Sequence, residues 1–334
     1  MSKPRSRRTD IIVAIIIVLS LLGLNVLIVQ SVTNRSRRAS CGNNLKKLLL
    51  SLHNYHDLHG WLPCGAQSRI TPQTDQETSW GPSWFVGLLP HLREKELFVK
   101  LQEIERAAPG NDYVSEAMVA AIDGKKLKVL QCPSSALPDT QSLQGFSVAV
   151  PSYVGISGLK PVFPGPYGGT ISHAGPLGML GHDKLGNHWV DYKRLASSNR
   201  LAIGEIGHWY YNDRGNPCNP SLSFAGEEPK QLRSWIAGTD IYKLWDVYYP
   251  PAPNHVLNVV SIFHPINTNN RRGRGDDDPN WGTKGIGLCG LNNPLGSGHG
   301  RGAMGVFLDG HFEYLSENMD LDILRGKAQR LGPH

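Results

Sequence analysis

The hydrophobic pattern changes character once, early in the chain. From Ile11 to Asn34 there are 24 residues without a charge, and most of Ile11–Val29 is Ile, Val and Leu. About 20 apolar residues suffice to cross a bilayer as a helix. From Arg35 the periodicity continues in water-compatible form. Leu45, Leu48, Leu49, Leu52 and Tyr55 fall at i, i+3, i+4, i+7 and i+10, a single apolar stripe. Gly60 is a natural stop. The pattern predicts one long helix from Asp10 to Gly60, apolar in its first half and amphipathic in its second.

Beyond Gly60 the signals are shorter. Residues 61–81 are polar and turn-rich and read as loop. Ser83–Leu89 is a short apolar segment, and Leu92, Leu97, Leu101 and Ile104 predict a helix after Pro90. Ala117–Ile122 adds a helical turn, and Leu127–Gln131 reads as a strand ended by Cys132-Pro133. Residues 150–190, 212–232 and 264–302 are loop-like. Leu201–Ile206, Ser234–Ala237, Leu244–Tyr249 and His255–Phe263 read as strands, the last the most β-branched. AMGVFL (303–308) and HFEYLS (311–316) flank Asp309-Gly310, which predicts a hairpin with a two-residue type I′ turn. Phe312 and Tyr314 would share one face of its second strand, His311 and Glu313 the other. A short helix from Asp320 to about Gln329 closes the pattern. There is no internal repeat and no clear linker.

Charge sharpens the first half of the long helix. The net charge is +6, and basic residues gather at 3–8, 35–47 and 271–274. The first two groups flank the apolar run, as membrane-surface charge does. Arg271–Arg274 is answered by Asp276, Asp277 and Asp278, and no aromatics interleave, so nucleic-acid binding is not expected. A cleaved signal has an apolar core of about 7–15 residues and a small-x-small cleavage site. This run is longer, and Ser31-Val32-Thr33 is a poor site. The expected organisation is a cytoplasmic tail (1–10), a transmembrane helix (11–33) and an extracytoplasmic domain (34–334), with the lipid bilayer as partner.

Composition narrows the rest. With 40% hydrophobic residues, 37 Gly and 23 Pro, residues 34–334 read as a turn-rich globular unit. The five cysteines (41, 64, 132, 218, 289) include no C-x-x-C, which excludes a zinc ribbon or a thioredoxin-like motif. One or two disulfides fit an exported domain, but spacing does not assign the pairs.

Candidate chemistry is sparse. His53, His56 and His59 lie at i, i+3 and i+6 without a carboxylate or Cys at ligand spacing, which favours packing roles. His173, His182, Asp183, His188 and Asp191 form a His/Asp-rich loop that matches no ligand motif. Asp276–Asp278 lacks the calcium-loop pattern. GSGHGRG (296–302) follows a loop and leads into a strand, so it is no dinucleotide fingerprint. Glu205, in LAIGEI, is an isolated acid read as structural. No nucleophile stands out. The expectation is a non-enzymatic protein with no cofactor or metal site.

Several segments share a source. Cys41-Gly-Asn-Asn-Leu-Lys-Lys-Leu-Leu-Leu-Ser-Leu-His-Asn-Tyr-His-Asp57 is similar to a C-x-N-N-L-K-Q-L-x-L-A-L-H-N-Y-H-D segment, and His59-Gly60 and Pro63 follow it. Ser83-Trp84 through Leu88-Leu89-Pro90 resembles S-W-x-x-x-L-L-P. Leu130–Ser134 resembles L-C-P-S, Ser152–Gly155 resembles N-Y-V-G, and Leu201–Glu205 resembles L-x-x-G-E. His299 and Asp309-Gly310 reproduce H-x9-D-G. Together they resemble the bacterial pilin-like proteins of domain of unknown function 1559, which carry a prepilin-type processing-associated H-x9-D-G segment. The resemblance marks Cys41, Asn43, Asn44, His53, Tyr55, His56, Cys132, Pro133, Glu205, His299, Asp309 and Gly310, all expected to be structural.

The resemblance implies an α+β fold, with the long helix packed on an antiparallel sheet and with long loop insertions. Asp309-Gly310 would make the turn and His299 would hydrogen-bond across the hairpin's base. Prepilins carry G-F-T-L-I-E before the apolar run. Here Arg8 is followed by Thr9-Asp10-Ile11-Ile12-Val13-Ala14, without the Gly or the Glu, so prepilin-peptidase cleavage is not expected. The function implied is that of a single-pass, pilin-like (pseudopilin-related) protein of the bacterial inner membrane. It would be associated with a type II secretion or type IV pilus-like assembly, with pilin-like or secretion-system proteins as partners. The alternative is an anchored extracytoplasmic binding protein for a glycan or peptide, or less readily a hydrolase. Its motive is the loop-rich stretch 150–300 and eight Trp in the chain.

Overall fold

The computed structural model describes residues 7–70, 78–107, 113–158, 176–177, 179–180, 199–207, 210–211, 217–218, 234–238, 258–262, 265–267 and 295–328. Helix α1 (Arg7–His59) runs unbroken across the change in pattern. Gly60 ends it at φ +80°, with its N–H donating to His56 O at 2.7 Å. Strands β1 (Ala66–Ile70) and β2 (Thr78–Ser83) follow, then α2 (Trp84–Leu88), a 3₁₀ turn (Leu89–Leu92), α3 (Lys95–Ala107) and α4 (Glu116–Ala121). A second 3₁₀ turn (Lys128–Leu130) leads to β3 (Thr140–Leu143), β4 (Phe146–Ala149), β5 (Tyr153–Gly158), β6 (Met179–Leu180) and β7 (Leu201–Glu205). The remaining elements are β8 (Tyr210–Tyr211), β9 (Pro217–Cys218), β10 (Val259–Ser261), β11 (Gly302–Phe307), β12 (Phe312–Ser316) and α5 (Leu321–Ala328).

The protein is α+β. Its main sheet has the order β10-β5-β7-β11-β12, with every pair antiparallel except the parallel edge pair β10–β5. β5, β7 and β11 are buried along their whole length, because both sheet faces are covered. On one face α1 packs against β7, β11 and β12, and Cys41, Leu45, Leu48 and Leu52 meet Tyr153, Ile203, Met304 and Val306 in one core. On the other face α5 brings Leu324 and Ala328 onto Val154, Leu201, Phe307 and Leu315. The alternation of Met304 and Val306 with Ala303 and Phe307 between the two cores is the period-two pleat of a strand. Smaller sheets are β2-β1-β6, the hairpin β3-β4 and the pair β8-β9.

The N-terminal half of α1 is different. From Ile11 to Leu21 every large apolar side chain is exposed, from 44% at Val13 to 62% at Leu19. Among the described residues, no helix is long and apolar enough to cross a membrane. In this half the described side chains are continuous only over residues 11–21, before those of residues 22 and 24–27 fall outside the description.

Several sequence expectations change. The stretch 61–81, read as loop, contains β1 and the start of β2, whose polar residues carry no apolar period and which are held by pairing with each other. Leu127–Gln131 is a 3₁₀ turn rather than a strand, with the carbonyls of Lys128 and Gln131 both accepting from the Asn44 amide. Ser234–Ala237 is a turn rather than a strand. The buried Asn258 side chain takes the carbonyls of Ser234, Trp235 and Ala237 at 3.4, 3.2 and 2.8 Å. Within His255–Phe263, where residues 258–262 are described, Val259–Ser261 is strand. Leu244–Tyr249, the loop residues His173, His182, Asp183, His188 and Asp191, and Asp276–Asp278 lie outside the described residues.

The C-terminal hairpin forms as expected, but not through a type I′ turn. Phe307 N–H donates to His311 O at 2.9 Å and Gly310 N–H to Phe307 O at 3.0 Å, so Leu308-Asp309-Gly310 is a three-residue loop. Of these three only Gly310 has positive φ (+101°). The two-residue, doubly left-handed turn occurs instead between β3 and β4. There Leu143 pairs with Phe146, and Gln144 and Gly145 sit at φ +52° and +86°.

Candidate functional site

Five segments far apart in sequence meet where α1 crosses the end of β7. Cys41 lies one turn before Leu45 on the buried stripe and is disulfide-bonded to Cys132, 91 residues away. The neighbouring turn is fastened to the same helix by Asn44, whose Nδ2 donates to Gln131 O at 2.8 Å and Lys128 O at 3.3 Å. The sulfurs are thus held by a covalent bond and by a fork of hydrogen bonds one turn away.

Glu205 ends β7 and is fully buried. Its Oε2 accepts from the Met304 N–H of β11 at 2.8 Å, while Oε1 has no hydrogen-bond partner. Oε1 faces His299 Nε2 at 3.4 Å, and the His299 side chain is only 2% exposed. The same nitrogen is 3.4 Å from Cys132 Sγ. A buried carboxylate costs several kcal/mol unless it is paired, and among the described residues the group that faces Oε1 is this imidazole.

His299 reaches inward because its loop is pinned on several sides. Ser297 Oγ donates to Gly302 O at 2.9 Å and accepts from His299 N–H at 3.2 Å. Arg38 Nη2, from α1, donates to His299 O at 2.9 Å, and Tyr314 O–H donates to Gly300 O. Gly298 lies against Ser134, where a Cβ would come within 1.7 Å of the carbonyl oxygen. No side chain fits there or at Gly302, where a Cβ would meet Leu315 O at 2.3 Å, whereas Gly300 stands in open space at φ +68°, a conformation that favours glycine. Tyr153, opposite Glu205 on β5, is fully buried with its O–H directed to Cys41 O at 3.5 Å. Burial first, and the Glu205 carboxylate second, push its phenol far above the ordinary tyrosine range.

The ligand atoms of Cys41, Cys132, Glu205 and His299 all lie within 4.8 Å of one another. The sequence reading expected no metal site and saw Glu205 as an isolated acid. It also put His299 across the hairpin's base, whereas the imidazole points at Glu205 and Cys132 instead. The other marked residues make contacts of their own. His53 Nε2–H donates to Leu308 O at 2.7 Å, tying α1 to the hairpin loop. Asp309 Oδ1 pairs with the His311 ring, and Tyr55 stacks on His59 at 4.2 Å between centroids. His56 Nδ1 lies 3.5 Å from Asp57, and Asn43 and Pro133 are exposed. His53, His56 and His59 thus make three separate contacts.

Residues 30–322, which include the whole cluster, match the family described as Protein of unknown function (DUF1559). The chain belongs to that family. No curated protein and no solved structure matches it. In this DUF1559 chain, the segments that carry the sequence resemblance converge on one buried point. Cys41 and Asn44 come from the first, Cys132 from L-Q-C-P-S, Tyr153 from S-Y-V-G, Glu205 from L-A-I-G-E and His299 from the H-x9-D-G stretch. The first contributes two polar groups and each of the others one, at separations that no spacing rule connects.

Proposed function

We propose that this DUF1559 protein is a non-enzymatic, membrane-anchored envelope protein of pilin-like build, in which α1 is both anchor and spine. The observation that carries this reading is the two-sided character of one unbroken helix. Its second half buries one apolar face in the core, and its first half exposes nine large apolar side chains between Ile11 and Leu21. Burying what these leave exposed is worth on the order of 10 kcal/mol. Arg35, Arg37 and Arg38 follow that half, where cationic side chains reach a lipid headgroup layer. The same helix would let the protein associate with pilin-like or secretion-system subunits at the bacterial inner membrane, with residues 34–334 outside.

Fractionation tests the anchor. The full-length chain should stay in the membrane pellet through salt and alkaline washes and enter detergent. A chain lacking residues 1–33 should be released. Recovery of the full-length protein in the soluble fraction would end the proposal. In-cell crosslinking of the intact chain tests the assembly, and pilin-like or secretion-system partners are the expected adducts. The binding-protein alternative draws on residues 150–300, most of which lie outside the described residues. A glycan array probed with residues 34–334 separates it from the first reading.

A further inference from the structure

We propose that Cys41, Cys132, Glu205 and His299 form a zinc site gated by the Cys41–Cys132 disulfide, closed to metal when oxidised and open when reduced. The donor set is two sulfurs, one imidazole nitrogen and one carboxylate oxygen. That is a combination suited to tetrahedral Zn²⁺, and thiolates disfavour the hard cations Ca²⁺ and Mg²⁺. Geometry supports the same ion. Zinc–ligand bonds of about 2.0–2.3 Å place neighbouring ligands of a tetrahedron roughly 3.3–3.8 Å apart. His299 Nε2 already stands 3.4 Å from Glu205 Oε1 and 3.4 Å from Cys132 Sγ.

The surroundings suit a closed structural site. Glu205 spends Oε2 on the Met304 N–H, which fixes the carboxylate and leaves Oε1, fully buried and without a hydrogen bond, pointing at the cluster. Ser297 and Arg38 hold the His299 backbone in place. What prevents coordination in the oxidised state is the S–S bond, which ties the sulfurs closer together than two ligands of one ion can sit.

The chemistry balances with a dithiol as reductant. The dithiol gives two electrons and two protons to the Cys41–Cys132 bond and becomes a disulfide, leaving two protein thiols. Zn²⁺ then binds both sulfurs as thiolates and releases the two thiol protons to solvent. His299 coordinates as the neutral imidazole and Glu205 as the carboxylate. Reoxidation reverses the sequence and expels the ion. The site would thus report the redox state of its surroundings through the join between α1 and the sheet.

The test uses the full chain in detergent, reduced with a water-soluble phosphine, which takes up the oxygen of one water molecule as the two thiols form. Co²⁺ serves as the spectroscopic probe, and circular dichroism follows the fold. The reduced protein should bind Co²⁺ stoichiometrically, with thiolate-to-cobalt charge-transfer absorption and the intense visible bands of a tetrahedral ion. Zn²⁺ should displace it, and the oxidised protein should show neither band. Glu205→Gln and His299→Ala should weaken binding at least about 10-fold, the loss that follows removal of even an outer partner of a zinc ligand. Should reduction unfold the chain, Zn²⁺ is expected to restore the native spectrum, since metal binding is then coupled to folding. No thiolate–cobalt band in reduced protein, or failure of Zn²⁺ to refold a reduced unfolded chain, overturns the proposal. So does undiminished affinity in folded His299→Ala.

Discussion

Tyr153 shows how the buried cluster acts on its neighbours. Its phenol is fully enclosed, and burial and the Glu205 carboxylate both raise its pKa. An unfolded tyrosine ionises near pH 10. Below that pH both states hold the proton, and the stability the native phenol contributes is fully present. Above it the unfolded chain loses a proton that the native chain keeps, so stability falls as pH rises. Tyr153→Phe removes this dependence. Because the O–H lies 3.5 Å from Cys41 O, the change should cost under about 1 kcal/mol at neutral pH. Denaturant unfolding at about pH 7 and about pH 10.5 checks both halves. An alkaline decline as steep in Tyr153→Phe as in the parent would refute it, although Tyr55 and Tyr314, also raised by burial, leave a smaller residue.

At the scale of elements, the C-terminal hairpin separates two kinds of turn that look alike in sequence. Asp309-Gly310 between two strand-like runs reads as a type I′ signal, yet Leu308 joins the loop and Asp309 stays out of the left-handed region. Part of the reason is tertiary. The Leu308 carbonyl is taken by His53 of α1, and the Leu308 N–H donates to Arg200 O at 2.9 Å, so neighbours outside the hairpin help set the loop. Gly310→Ala should therefore cost about 1–2 kcal/mol, the backbone penalty of a left-handed L-residue, since nothing stands within 4 Å of the added Cβ. Asp309→Gly, which would relieve a type I′ turn, should instead give no gain in melting temperature.

The same contrast sets what was legible across the molecule. Amphipathic stripes announce themselves, and α1, α3, β7, the β11–β12 hairpin and α5 all lie where the apolar periods put them. β1 and β2 do not, because their residues are polar and their stability comes from pairing. The 3₁₀ turn at Lys128–Leu130 was hidden because the Asn44 side chain that organises it is 84 residues away. The Cys, His and Glu cluster was invisible for a related reason. Its members are single residues on four segments, and only the fold brings them within reach. The disulfide closes a loop of about 90 residues, for which chain entropy alone gives about 4–5 kcal/mol. The Cys41→Ser/Cys132→Ser double variant should lose about 2–5 kcal/mol in equilibrium unfolding without reductant. An unshifted midpoint would show that the crosslink adds no stability.

The position of that crosslink also has a mechanical meaning. A pull on the N-terminal end of α1 travels down the helix and meets Arg38 and Cys41 before it reaches Leu45, Leu48 and Leu52. With the S–S bond closed, the load passes sideways into the 3₁₀ turn and the sheet, and the greasy seam behind it is never peeled. With the bond open, the same tug bears directly on that seam, one leucine at a time. A single covalent link thus decides whether α1 behaves as a rivet or as a zip fastener.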